Sequence, residues 1–361
     1  MAPLIWRSLR LTYWKLFLLA NLIFSSVILL LKAHEIARFA AIGGSLIDIL
    51  AFSALQLAHL IPLSVPIASW IAAFALATGL CQSAELTSLR ACGLSISTIF
   101  EPIKSVAYAL SLISFVIIFL ITPASKDLAA FFLVKAARSH PLSTLTVKKP
   151  FMHQNYFMTY DLKNSGEINH LLIAYKGLQN RLHLIFADAV TEIKGSLYAD
   201  QITTLGTRKN GNQIVFYAQS ASKAKQPIET ELLTYFFNPQ EHLPVQRMSL
   251  VTLLNGIFDD DPSPTKKNRH LFELERRLYL CLAPYLLTLS AISFGIGIGR
   301  SQRKAPLMTT LGFVALYFFI YLTAKGLRHH PVIAALYFLS GVFLMIFSAQ
   351  SRIKKIEQGI A

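Results

Sequence analysis

Glycines at 295, 297 and 299, followed by Arg300 and Ser301, are the nearest this chain comes to a phosphate-binding loop. Such a loop needs G-x-x-x-x-G-K-[ST] between a strand and a helix, so that successive backbone N–H groups cradle the phosphates. Here the glycines end an apolar run, where they favour close helix packing. His34-Glu35 begins like a zinc-protease pair, but the residue four positions after His34 is Arg38, and one imidazole is not a metal site. Cys81, Cys92 and Cys281 lie in or beside apolar stretches without C-x-x-C spacing, which suits small buried hydrophobes, not disulfides or zinc. No nucleophile has a base beside it, and no carboxylate pair sits deep in an apolar run to relay protons. The chain is therefore expected not to be an enzyme and to hold no metal or cofactor.

The connection Gln82 to Ser95 is more informative. It reads as one amphipathic helix over about 83–93. Leu86 and Leu89 share a face, Glu85 near the start and Arg90 near the end suit the helix dipole, and Gly93 stands where a terminating C′ residue belongs. A helix held between two membrane spans can dock on a soluble partner and pass motion inward, or it can be a passive surface helix.

The elements that position this helix follow from composition. Of 361 residues, 54% are hydrophobic and only 15% charged, and the net charge is +15. Soluble proteins carry about 25% charged residues, so lipid is the main solvent. The 34 Lys and Arg against 19 Asp and Glu fit membrane-flanking cations better than a nucleic-acid surface, and no nucleic-acid partner is expected. A span needs about 20 apolar residues, and the candidates run from about Trp14 to Leu31, Leu46 to Leu80, Ile99 to Ile121, Leu278 to Ile298, Leu307 to Ala324 and Val332 to Ala349. The first has the basic-then-apolar order of a signal peptide, but Ala33-His34-Glu35 makes a poor exit site and Trp14 a natural interface anchor. The second is too long for one straight span and contains Pro62 and Pro66, so a kinked or tilted helix with an interfacial lead-in is expected.

Between the third and fourth spans, from about Ala124 to Arg269, charges appear every few residues. Tyr156, Met158 and Tyr160, then Leu182, Leu184 and Phe186, recur at every second position, the period of a strand face. Further strands are expected at Ile168 to Lys176, Leu197 to Arg208, Gln213 to Ala218 and Thr230 to Asn238, with a helix over about Ser125 to Ser139. Short strands at this spacing suggest an antiparallel sandwich or jellyroll. The organisation is thus 1–123, three membrane helices with the amphipathic connection; 124–269, an extracytoplasmic antiparallel β domain; and 270–361, three more membrane helices with a short basic tail. Short-loop cations concentrate at Arg7, Arg10, Lys15, Arg90, Lys104, Arg300, Arg303, Lys304, Arg352, Lys354 and Lys355, which places those ends and both termini in the cytoplasm.

In this setting Glu85 through Ser95 resembles the coupling-helix motif of the lipopolysaccharide-export permeases, the LptF/LptG family. Leu60-Ile61-Pro62-Leu63, Glu273-Leu274-Glu275-Arg276-Arg277-Leu278 and Ala283-Pro284 resemble that family too, and the layout of three spans, a β domain and three spans covers essentially the whole chain. The Ala-Cys-Gly-Leu-Ser wording at 91–95 leans toward LptF, while the β domain offers little identity and His329-His330-Pro331 departs from the pattern. The resemblance implies an inner-membrane permease of a Gram-negative outer-membrane biogenesis system. It would form a heterodimer with a paralogous permease on a dimeric cytoplasmic ATPase that binds the ATP. It would extract lipopolysaccharide and pass it through a periplasmic β-jellyroll to bridge proteins. On that analogy Glu85, Leu86, Leu89, Arg90 and Gly93 form the ATPase-coupling site, and the first and fifth spans form a side gate.

Lipopolysaccharide joins acyl chains to anionic phosphates, so its extractor needs an apolar cavity rimmed with cations. Lys32, Arg38, Arg276, Arg277, Lys325 and Arg328 fall near the outer ends of spans, where they either meet lipid phosphates or snorkel to ordinary headgroups. Tyr156, Met158, Leu182, Leu184, Phe186 and Phe216 either line an acyl-chain groove or pack as sandwich core. A contrasting reading is a membrane-anchored envelope scaffold without transport activity, for which Glu85 and Arg90 are dispensable. A secondary transporter is a third, disfavoured by the lack of intramembrane carboxylates.

Overall fold

Helices longer than a bilayer is thick set the frame. The computed structural model describes residues 2–43, 45–139, 151–153, 156–162, 168–177, 181–193, 196–210, 213–221, 226–228, 245, 248–258, 264–296 and 305–358. Helices α1 (Ala2–Ala41) and α2 (Leu46–Gln82) are followed by the short α3 (Glu85–Ala91) and α4 (Ile96–Ile99). Helix α5 (Glu101–Val116) continues through a π-helical turn (Ile117–Ile121) into α6 (Thr122–Ser139). Beyond the β domain come α7 (Leu250–Phe258), α8 (Pro264–Gly295), α9 (Ala305–Thr323) with a 3₁₀ turn (Ala324–Leu327), and α10 (Pro331–Glu357). Among the described residues six stretches are long and apolar enough to cross a membrane: Leu4–Ala41, Leu60–Gln82, Glu101–Ala136, Thr265–Gly295, Leu307–Leu327 and Pro331–Glu357. The chain is a multi-pass membrane protein. Most of its helices outrun the apolar runs, because flanking residues such as Lys32 to Glu35 are good helix formers outside hydrocarbon too.

The chain divides into two compact units. One comprises Met1–Leu31, Leu55–Lys126 and Leu243–Ala361; the other comprises Lys32–Ala54 and Asp127–His242. The core of the first is built on α8, whose span is 83% buried against 11% for the first span and 22% for the fifth. Serines bridge the proline-bearing helices to their neighbours. Ser69 Oγ donates to Pro66 O at 2.8 Å and to Pro284 O at 3.4 Å, joining α2 to α8, while Tyr285 N donates to Ser111 Oγ at 3.2 Å, joining α8 to α5. Tyr13 on α1, fully buried, lies 3.3 Å from Thr288 Oγ1 on α8. Tyr317 of α9 stacks on Tyr279 at 4.5 Å and donates to its carbonyl at 2.6 Å. Without a hydrophobic drive between helices in lipid, such packing and interhelical hydrogen bonds hold the bundle together.

In the second unit, the α1–α2 turn is fixed by Ser45, whose Oγ accepts from Asp48 N at 3.2 Å and donates to Asp48 Oδ2 at 2.8 Å. Phe39 stacks on Phe52 at 4.5 Å, Ala136 of α6 joins them, and Lys135 reaches Asp48 at 3.3 Å.

The β domain is one antiparallel sheet of β1 (Phe151–His153), β2 (Tyr156–Leu162), β3 (Ile168–Gly177), β4 (Arg181–Ile193), β5 (Ser196–Asn210), β6 (Gln213–Ala221) and β7 (Gln226–Ile228). Strands β1 to β6 pair in chain order as a meander, and β7 pairs with the start of β5 at Leu197–Ala199, beyond the stretch that pairs with β6. The expected antiparallel β domain is thus present. The strand expected at Thr230 to Asn238 and the basic turn of Arg300, Arg303 and Lys304 lie outside the described residues, as do Gly297 and Gly299.

Candidate functional site

The amphipathic connection folds as α3, seven residues held at both ends. Ala84 before it takes a left-handed conformation with φ 56. At the far end Gly93 has φ +82, Gly93 N donates to Arg90 O at 2.9 Å and Leu94 N to Leu89 O at 3.3 Å. That pair of bonds is a Schellman termination, and the positive φ is why glycine stands there. The face carrying Leu86 turns inward: Leu86 is buried, and Leu89 and Leu94 pack against the main core. Glu85, Thr87, Ser88, Arg90 and Gly93 are exposed. The apolar face therefore fastens the helix to the bundle, and the polar face, with opposite charges at its ends, is left exposed.

Behind α3 the fastening continues. Cys81 Sγ donates to Ile296 O at 3.2 Å, and Ser95 caps α4 by accepting from Thr98 N at 3.2 Å. Glu357 at the end of α10 accepts from Ser97 N at 3.1 Å, and Arg352 of the same helix donates to Ser293 O at 3.2 Å. The connection is thereby tied to α8 directly through α2, and through α4 and α10.

Strand register divides the expected acyl-chain residues between two faces, since residues paired directly across an antiparallel ladder share a face. Leu184 pairs with Ala174 and Leu205, Phe186 with Leu172 and Thr203, Leu182 with Lys176, and Phe216 with Thr207. These positions and Phe157, paired with Ala174, belong to one rank. Around these positions it is the more open one: Phe186 is 41% and Phe157 39% exposed and Leu172 and Leu184 are half-buried, while Val190 and Ala199 farther along the same rank are buried. Tyr156 and Met158 occupy the other rank, since Met158 pairs with Ile173 and Tyr156 with Tyr175. Ile173, Leu171, Ile185 and Ala187 there are buried.

The basic residues also separate. Lys32 is ion-paired with Glu35, and Arg38 is exposed. Lys325 and Arg328 are exposed at the α9–α10 turn, where Asn268 of α8 donates to His329 O at 3.2 Å. Arg276 and Arg277 instead grip one carboxylate. Arg276 meets Glu273 through Nε at 2.9 Å and Nη2 at 2.8 Å and also bonds the Tyr321 hydroxyl. Arg277 Nε donates to Glu273 Oε1 at 3.0 Å, its Nη2 donates to Val245 O at 3.4 Å, and it lies over the Phe119 ring at 5.8 Å. Side-chain exposures of 5% for Glu273 and Arg277 and 22% for Arg276 make this a mostly buried cluster. The sequence carried its signal in the i, i+3 and i, i+4 spacing of Glu273, Arg276 and Arg277; Tyr321 and Phe119, brought from other spans, had none.

No curated protein matches the sequence. The family model described as lipopolysaccharide export system permease LptF/LptG matches residues 9–352, from the first span through the β domain to the last. On a match of that extent, the chain belongs to the LptF/LptG family of lipopolysaccharide export permeases, components of a transporter and not catalytic enzymes.

Proposed function

We propose that this permease is the membrane subunit of an ATP-driven lipopolysaccharide exporter of the bacterial inner membrane, paired with a paralogous permease on a dimeric cytoplasmic ATPase that binds the ATP. Its β domain lies in the periplasm as one wall of a jellyroll and passes the glycolipid to bridge proteins. The observation that carries this reading is α3, welded to the bundle by Leu86 and presenting Glu85 and Arg90 outward. A surface helix with its apolar side locked transmits a push on its polar side to the spans behind it, with no apolar patch of its own to re-bury. Lys32, Arg38, Lys325 and Arg328 supply cations for lipid phosphates, and Arg276 and Arg277 add theirs beside Glu273. The rank holding Leu182, Leu184, Phe186 and Phe216 supplies the apolar face for acyl chains. Residues 91–95 support the LptF side of the pair.

Glu85→Ala and Arg90→Ala test this. The expected result is failed copurification of the ATPase, or stalled glycolipid export in reconstituted vesicles, with the permease still folded. ATPase capture and export both at wild-type level in the two variants would refute the coupling role and favour a scaffold.

A further inference from the structure

Ahead of the fourth span, α7 has no part in the reading above. Its start is set by Ser249, whose Oγ accepts from Thr252 N at 3.3 Å. Fully buried Leu253 points to the core. Gly256 sits against the His270 ring so closely that an added Cβ would stand 2.5 Å from Nδ1, and its carbonyl lies 3.3 Å from that nitrogen. With the Arg277 to Val245 bond, this holds the segment leading into α8 against that helix.

Turning about 100° per residue with Leu253 and Gly256 inward leaves two arcs outside the core. Ile257, Leu254, Phe258 and Val251 form an apolar arc, with Val251 66% and Phe258 78% exposed. Asn255 and Thr252 form a polar arc beside it, both exposed. Lys266, Lys267 and Arg269, in the first turns of α8, are exposed as well. The acidic run Asp259, Asp260 and Asp261 lies outside the described residues. A short helix with an apolar flank, a polar flank and adjacent cations fits the boundary between acyl chains and anionic headgroups.

We propose that α7 is a membrane-surface docking element: Phe258 and Val251 enter the acyl–headgroup boundary on the β-domain side, and Lys266, Lys267 and Arg269 meet phospholipid phosphates. Bilayer phospholipid is the occupant because α7 is clamped through Gly256 and His270 to the start of a helix that crosses the membrane, and the exposed cations of that start complement anionic headgroups. The reading rests on the chain being a multi-pass membrane protein; the transport role adds only which leaflet is contacted.

The test places benzoylphenylalanine at Phe258, Val251 or Asn255 in the complete exporter, reconstituted in phosphatidylethanolamine vesicles containing phosphatidylglycerol, and identifies photoadducts by mass spectrometry. Phospholipid adducts several-fold stronger at 258 and 251 than at 255 are expected. Adducts only to a protein chain, only to lipopolysaccharide, or equal at all three positions would overturn the proposal. Lys266→Glu with Lys267→Glu and Arg269→Glu should lower the adduct at 258 when phosphatidylglycerol is present but not in vesicles without it; an unchanged yield in both would remove the headgroup contact. Export measured on the same vesicles keeps the two readings apart, since lost adducts with intact export sink only this one, and intact adducts with lost export leave it standing.

Discussion

Replacing Glu273 by glutamine removes the carboxylate that Arg276 and Arg277 share, next to a guanidinium that is only 5% exposed. Three charge-assisted bonds of 2.8 to 3.0 Å are weakened at once. Breaking a buried ion pair by removing one partner costs about 3–5 kcal/mol. Arg276, 22% exposed, can turn partly toward water, so the lower end of that range applies. At roughly 2 °C per kcal/mol for a chain of this length, melting should fall by about 6 °C. Cys281, buried one turn beyond Arg277, is a built-in reporter: with Cys92 and Cys81 replaced, its reaction with a thiol-reactive dye on heating marks the opening of α8. The double variant Glu273→Leu with Arg277→Met should recover much of the loss, because removing both charges removes the desolvation cost of burying them. A shift below about 2 °C for Glu273→Gln, or a double variant as damaged as the single one, would refute the assignment of this cluster as a buried set held by Glu273.

Gly341→Ala should destabilise the α9–α10 contact by about 1–3 kcal/mol, because the new Cβ would stand 2.8 Å from Ile320 Cδ1, and Ile320→Val should restore the melting temperature by removing that methyl. Gly93→Ala should cost about 1 kcal/mol locally through its positive φ, read as faster amide exchange across residues 85–92 with little change in global melting. The hydrogen bond from Ser45 holds the Asp48 carboxyl below its usual range, with Lys135 adding to the effect. A depressed folded value stabilises above the unfolded value and is lost as pH falls through the folded one, so the stability gap between wild type and Asp48→Asn should be present at neutral pH and close under acid; a gap that widens on acidification would contradict it.

Hydropathy made the six spans legible because lipid leaves a composition signal that needs no knowledge of neighbours. It understated their length, since Lys32 to Glu35 continue α1 without being apolar. Strand alternation was equally legible along β4, where Leu182, Leu184 and Phe186 share a rank. Alternation in one strand says nothing about the next, however: only the pairing of Met158 with Ile173 puts Met158 opposite the rank of Phe186. The end of α3 was written in Gly93, whereas the inward turn of Leu86 depended on core residues from distant spans. Arg277 shows the same limit, for a cation near a span end looks alike in sequence whether it meets a phosphate or Glu273.

The place of α8 at the heart of the first unit bears on how the protein is made. Tyr13 and its partner Thr288 are separated by 275 residues, so at about 5–20 residues per second the ribosome needs on the order of 14–55 s to deliver the second after the first. Throughout that interval the early helices have no centre to gather around. Their polar serines and tyrosines must wait beside lipid, or under the care of an insertase, until the fourth segment arrives and lets the half-built bundle close.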